Sequence, residues 1–293
     1  MTLPGPIRRA LVVAKPSHPE ARRLAEEMAR WLDARGVRGV LELRTAAALG
    51  RTDGVPLDAL PADLDLAVVA GGDGTLLGVA RVAAPLGLPI LGVNLGSLGF
   101  LTELQPEEVF RGLEATLAGS VSIEERVALR VRPARRGHAD AEYAVLNDAV
   151  IAKSALARMI TLDVSLDDDP VATYTADGLI VATPTGSTAY NLSAGGPILD
   201  PSMAAVVIAP ICPHSMSYRP LVVPGTVSVD VVLRSTGEAV YLTLDGQIGF
   251  PLTVDDAVRI DRHPQPVRLV RTAPRSFFDV LRRKLRWGER PRG

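Results

Sequence analysis

The first hundred residues alternate between apolar runs and amphipathic stretches. Residues 7–14 are apolar enough for a buried strand, and residues 18–35 carry Leu24, Met28, Trp31 and Leu32 at helical spacing. Pro19 suits the first turn of that helix and Gly36 its C-terminal stop. Residues 40–43 and 64–70 are the next strand candidates, residues 75–84 a helix and residues 89–93 a strand. Strands alternating with helices predict a parallel, Rossmann-like sheet with both faces covered.

After about Glu103 the pattern changes. Residues 107–117 read as one more helix, and from Ser120 onward short strands dominate. Ile160, Leu162, Val164 and Leu166 alternate with Thr161, Asp163, Ser165 and Asp167, the period of a half-buried strand. Residues 227–233 and 240–244 read similarly, with turns at Pro224-Gly225 and Thr236-Gly237. Such spacing predicts an all-β sandwich. Residues 276–287 return to helix, with Phe277, Leu281 and Leu285 on one stripe and Ser276 as N-cap. The expected organisation is an α/β domain over 1–105, a β-sandwich over 106–270, and a segment 271–293 whose helix packs back on the first domain.

Composition narrows the function classes. The chain has 293 residues, 47% of them hydrophobic and 22% charged, with a formal net charge of -1. Disorder is excluded by the first pair of values, and a protein that wraps nucleic acid by the absence of a basic excess. No run of about 18 apolar residues is present to span a membrane. Cys212 is the only cysteine, so no intrachain disulfide forms, and its place after an apolar run predicts a buried small hydrophobe. Residues 1–14 lack the long apolar core and cleavage site of a signal peptide, so the expected compartment is the cytoplasm. Lysine occurs only at 15, 153 and 284, so an anionic ligand falls to arginine, backbone N–H groups or a metal.

Three segments carry chemistry. The strand candidate ending at Ala70 runs into Gly71-Gly72-Asp73-Gly74-Thr75, a glycine-rich turn at a helix start. Its glycines permit positive φ and close approach of a ligand, and its N–H groups can face an anion. Asp73 there orients a hydroxyl, holds Mg2+, or simply caps a tight turn. A second such turn, Asn94-Leu95-Gly96-Ser97-Leu98-Gly99-Phe100, follows the next strand, at the edge where open α/β sheets bind ligands. The third segment is Thr183-Pro184-Thr185-Gly186-Ser187-Thr188-Ala189-Tyr190-Asn191, continued by Leu192-Ser193-Ala194-Gly195-Gly196-Pro197. Its hydroxyls offer neutral donors and acceptors to a nucleotide, or form a Ser/Thr-rich loop.

Together with Leu146-Asn147-Asp148-Ala149-Val150-Ile151 and Asp177-Gly178-Leu179, these segments resemble the NAD kinase family over nearly the whole chain. Gly-Gly-Asp-Gly alone also occurs in lipid kinases and phosphofructokinase-like enzymes; the Thr/Ser segment with the Asn-Asp pair is the specific part. The resemblance implies phosphoryl transfer from ATP, another NTP or polyphosphate to the 2′-hydroxyl of the adenosine ribose of NAD, giving NADP. It implies Mg2+ with unknown protein ligands, and a homodimer or homotetramer whose neighbouring subunit completes the active site. No nucleic-acid or membrane partner is implied.

The same match makes Asp73 the proton acceptor. It places cofactor contacts at Gly72, Gly74, Leu77 and Phe100 in the first half. In the second half it places them at Asn147, Asp148, Arg158, Thr175, Asp177 and Thr185, at Thr188, Ala189, Tyr190, Asn191, Leu192 and Ser193, and at Gln247. Tyr190 would be a stacking ring and Arg158 a phosphate contact. Asp148 stands where glutamate is more usual, and Thr175 where some relatives have arginine. His18, His138, His214 and His263 have no zinc spacing. Asp167-Asp168-Asp169 reads as a solvated turn, and Arg282, Arg283, Lys284 and Arg286 as the wet face of the last helix or a subunit contact.

Overall fold

The computed structural model describes residues 3, 5–96, 99–135, 141–235, 237–272 and 276–287. Ser97, Leu98, His138, Thr236 and part of the 271–293 segment lie outside that set. The chain divides into two compact units, Met1–Glu125 with Val267–Gly293, and Arg126–Pro266. The first unit thus extends about twenty residues past the expected boundary.

The first unit begins with β1 (Arg9–Ala14), α1 (Pro19–Asp33), β2 (Arg38–Leu41) and α2 (Leu43–Ala48). It continues with β3 (Leu66–Ala70), α3 (Asp73–Ala83), β4 (Ile90–Val93), α4 (Val109–Leu117) and β5 (Ser122–Arg126). Pro19 stands in the first turn of α1, where its missing N–H costs nothing. Leu24, Met28 and Leu32 turn inward together, each fully or nearly fully buried and contributing about 1.5–3 kcal/mol. The strand expected over 40–43 stops at Leu41. The buried Glu42 carboxylate accepts from the N–H groups of Arg44 and Thr45, capping α2, and Leu43 becomes an exposed helical residue.

The second unit contributes β6 (Leu129–Ala134), β7 (Tyr143–Val145), β8 (Asp148–Lys153), β9 (Ile160–Leu166), β10 (Asp169–Ala176) and β11 (Gly178–Ala182). The short helix α5 (Tyr190–Ser193) leads to β12 (Ala205–Ile211), β13 (Leu221–Pro224), β14 (Val229–Leu233), β15 (Val240–Leu244), β16 (Ile248–Leu252) and β17 (Ala257–Arg262). The chain then returns to the first unit with β18 (Val267–Arg271) and α6 (Phe277–Leu285).

In the first unit the sheet order is β2-β1-β3-β4-β18-β5. The pairs β1–β2, β1–β3, β3–β4 and β4–β18 are parallel, as the alternation of strands and helices predicts. The return therefore begins with a strand, ahead of the expected helix. Val109 and Leu113 of α4, Ile123 of β5 and Val270 of β18 join the same core as β1 and β3, which is why this unit runs on past residue 105.

The second unit is a sandwich of two antiparallel sheets, β10-β9-β14-β17-β6-β7 and β13-β12-β11-β8-β15-β16. Ile160, Leu162 and Val164 of β9 face Ile151, Val181 and Ile208 of the second sheet in one core, as the period-two pattern predicts. The β9–β10 hairpin places Asp167 and Asp168 at φ 48° and 71°, conformations that aspartate tolerates, so the acidic run is a turn. The far face of the second sheet carries Val150, Ile180 and Val207, packed with Ala194 of the hydroxyl-rich segment and Leu199 just past it. Cys212 departs from expectation. It follows the end of β12 at φ 45°, where the chain leaves the sheet, and its side chain is exposed.

Candidate active site

In the first unit the site is built where two strands end. β3 stops at Ala70, Gly72 caps α3, and Asp73 is the first helical residue. A carboxylate in a first helical turn is favoured by the helix dipole. Asp73 does not close its own turn. It reaches the second glycine-rich loop, where Oδ2 accepts from Phe100 N–H at 2.9 Å and Oδ1 from Leu101 N–H at 3.2 Å. That approach demands glycine at position 99, because a Cβ there would lie 2.1 Å from Asp73 Oδ1. Gly71, Gly72 and Gly74 do not use positive φ, contrary to expectation. At Gly71 the requirement is space, since a Cβ would meet Thr75 Oγ1 at 2.5 Å.

The loop is backed by α6. Phe100 and Phe277 pack with ring centroids 6.2 Å apart, and Lys284 Nζ lies 5.2 Å from the Phe100 centroid. Lys284, expected on the wet face of its helix, remains exposed and also covers this ring. Leu281 is buried and anchors the helix, so α6 packs on the first unit as expected.

In the second unit the polar residues form a layered cradle. Thr183, at the end of β11, donates to the Leu146 carbonyl at 2.5 Å and accepts from Gly186 N–H at 3.0 Å. Its own N–H donates to the Asn147 carbonyl. Gly186 is pressed against that residue; a Cβ there would stand 2.1 Å from the Asn147 carbonyl oxygen. Ser187 donates to the Pro184 carbonyl and accepts from Leu199 N–H, and Asn191 Nδ2 donates to the carbonyls of Ser187 and Pro197. Thr183, Ser187 and Asn191 are wholly buried. Many of the polar groups in this segment thus hold its own backbone.

Beneath Asn147 and Asp148 sits Asp245. Its carboxylate accepts from the N–H groups of Leu146 (3.1 Å), Asn147 (2.7 Å) and Asp148 (3.3 Å). Asp245 is buried at φ 50°, and its N–H returns a bond to the Asp148 carbonyl. Asp148 is buried as well. Desolvation and the Asp245 charge push its carboxyl up to about 7, against the pull of a hydrogen bond from Tyr190 N–H. A carboxyl so placed holds its proton near neutrality and can then donate a hydrogen bond.

The other expected contacts distribute as follows. Leu77 is buried in α3, and Phe100 is half-buried. Thr185 accepts from the buried Arg126 guanidinium at 3.3 Å, and Thr188 donates to the Thr185 carbonyl. Tyr190 and Ser193 are exposed, while Ala189 and Leu192 are half-buried. Asp177 lies 3.5 Å from Lys153 Nζ. The Thr175 carbonyl, in β10, accepts from His214 N–H. Arg158 is exposed with its N–H on Glu238, and Gln247 is exposed just past Asp245. Asp245 and Arg126 were not among the expected contacts. The sequence signal for Asp245 is its place in the Leu244-Asp245-Gly246-Gln247 run, two residues before the expected contact Gln247.

A fixed carboxylate between two glycine-rich turns, and a polar cradle laid on a β-sheet, are the equipment of a nucleotide-dependent phosphotransferase. Comparison with known proteins gives the family. Residues 10–121 match the ATP-NAD kinase N-terminal domain and residues 146–272 the ATP-NAD kinase C-terminal domain. The chain belongs to the ATP-NAD kinase family, and it is an enzyme, a kinase. The NAD kinase of Geobacter sulfurreducens is 46% identical over 284 residues, 97% of this chain and 100% of that protein. The NAD kinase of Koribacter versatilis is 45% identical over 285 residues, again 97% of this chain and all of that one. Among solved structures, a yeast NADH kinase complexed with NADH aligns with a TM-score of 0.87 and 25% identity, covering 99% of this chain and 90% of that one. An NAD kinase from Archaeoglobus fulgidus in complex with ATP aligns at 0.72 and 25%, covering 95% and 98%.

Proposed function

We infer that the chain phosphorylates NAD with ATP as donor, and that the phosphoryl group goes to the 2′-hydroxyl of the adenosine ribose. The observation that carries the chemistry is Asp73. Two N–H bonds fix its carboxylate, leaving about two of its four acceptor positions for a ligand. A ribose hydroxyl is a weak nucleophile, and a carboxylate in hydrogen-bond reach orients it and takes its proton as the bond to phosphorus forms. Asn147 and Asp148 offer an amide and a carboxyl from a backbone locked by Asp245. The exposed Tyr190 ring suits stacking on a base. Arg158, Thr175, Asp177, Thr185 and Gln247 are among the other proposed dinucleotide contacts.

Magnesium belongs to the same proposal. Among the described residues no group of three or more His, Cys, Asp or Glu is placed to bind a metal. Mg2+ is normally held by one or two carboxylates, substrate phosphates and water. Asp73 would be the protein ligand in the alternative arrangement, where it holds the metal instead of taking the ribose proton. Bound there, Mg2+ supplies charge neutralisation on the transferring phosphates. A homodimer or homotetramer with a shared site and a cytoplasmic location are part of this reading, and the family resemblance supports both.

The test is an incubation of purified protein with NAD, ATP and Mg2+. A 2′-specific NADP-dependent dehydrogenase should detect the product. ATP or polyphosphate against NAD or NADH then fixes donor and acceptor. No product with any pair would overturn the reading.

A further inference from the structure

Thr102 is 4% exposed, and its hydroxyl has no hydrogen-bond partner among the described residues. Buried hydroxyls are nearly always paired, so an unpaired one calls for a reason. Its orientation is fixed on both sides. The Cα and Cγ2 atoms lie 3.1 Å and 3.4 Å from the point a Cβ on Gly92 of β4 would occupy. On the other side, Oγ1 lies 2.4 Å from the corresponding point at Gly99, where Asp73 Oδ1 lies at 2.1 Å. The methyl group therefore faces the sheet, while the hydroxyl and the Asp73 carboxylate crowd the same bare face of one glycine. The backbone behind Thr102 is held as well. Glu103 N–H donates to the Gly92 carbonyl at 3.0 Å, and the buried Glu103 carboxylate pairs with Arg271 at 2.8 Å.

We propose that Thr102 is a positioning residue for Asp73, its hydroxyl donating to Oδ1 when the carboxylate engages the acceptor hydroxyl. This rests on the reading of Asp73 as proton acceptor. The longer of the two bonds to Asp73, at 3.2 Å from Leu101, is on Oδ1, so that oxygen has the weaker restraint and gains most from a second donor. Oδ2, with its single bond from Phe100, is left to take the ribose proton. The resting protein carries an unspent hydroxyl so that the working one has a third hold on its base.

The test is Thr102→Val, which keeps the shape and removes the hydroxyl, beside Thr102→Ser, which keeps the hydroxyl. With NAD, ATP and Mg2+, Thr102→Val should lose about tenfold in kcat, the worth of one hydrogen bond to a charged group. Its KM for NAD should stay within about twofold. Its Tm should equal or exceed that of the parent, because an unpaired buried polar group has been removed. Thr102→Ser should restore most of kcat. A Thr102→Val enzyme with parental kcat overturns the proposal, as does a Thr102→Ser enzyme as slow as Thr102→Val. Should Thr102→Val fail to fold, Thr102→Ala against Thr102→Ser gives the same contrast, and equal rates overturn it. Asp73→Asn separates the two levels. If it is inactive while Thr102→Val is parental, only the Thr102 role falls; if it turns over normally, the proton-acceptor reading falls too.

Discussion

The loop around Asp73 and the segment around Gly186 treat glycine and polar atoms in opposite ways. At Gly99 the missing Cβ admits a carboxylate from another element, and that carboxylate keeps acceptor positions unspent. At Gly186 the missing Cβ admits a backbone carbonyl, and the surrounding hydroxyls are consumed in holding the chain to itself. Both segments look polar and glycine-rich in sequence. One is arranged to act on something else, and the other is mostly scaffold with a few groups at its surface. Damage to the first should appear in turnover, and damage to the second in stability.

The sharpest test is Asp73→Asn. Turnover should fall by about a thousandfold in an NADP-formation assay. NAD affinity and Tm should be little changed, and a large fall in Tm would erase the contrast. Gly186→Ala should do the reverse. The new methyl group meets backbone at Asn147, which cannot yield cheaply, so a loss of about 3 kcal/mol is expected in denaturant melts.

The third test uses pH. Asp148 titrates near 7 when folded and in the ordinary carboxylate range when unfolded. The folded state therefore holds the proton more tightly. Its stabilising effect is fully present below the unfolded pKa and is lost as pH rises through about 7. Asp148→Asn, which cannot ionise, should gain on the parent by a few kcal/mol above pH 7 and show little difference near pH 4. Parallel stability curves across that range would mean that Asp148 ionises freely.

The smallest effect divides the hydroxyl-rich segment itself. Tyr190→Ala should weaken NAD binding by about fivefold, the worth of one stacked ring, with Tm nearly constant. Thr183→Val should cost about 2 kcal/mol of stability, because a carbonyl and an N–H lose their partner. If Thr183→Val changes only binding, the inward reading of that hydroxyl is wrong.

Much of the fold was legible because its signals are local. The strands over residues 7–14 and 64–70, the α1 stripe and the β9 alternation depend on period alone, and they appear within two residues of the expected places. The end of β2 was not legible, because Glu42 captures N–H groups ahead of it and turns an apolar Leu43 outward. Neither was β18, a short apolar run whose neighbour β4 is about 175 residues away in sequence. In the site, the Gly-Gly-Asp-Gly turn announced its carboxylate. The direction of that carboxylate, toward Phe100 and Leu101, is a long-range property. Asp245 was hidden for the same reason, since its task lies about a hundred residues upstream.

The position of β18 also orders events during synthesis. A ribosome delivers the chain from its N-terminus, and domains fold as units as they emerge. The sandwich is one uninterrupted stretch, Arg126–Pro266, complete once that stretch has cleared the exit tunnel. The sheet that carries Asp73 is begun first and finished last. Until residues 267–271 arrive, β4 has β3 on one side but lacks β18 on the other, and the Phe277 and Lys284 contacts that back the Phe100 loop do not exist. A nascent chain truncated near residue 266 would thus hold a finished second unit beside an unclosed first one. The carboxylate that the chemistry needs acquires its full surroundings only when translation is nearly over.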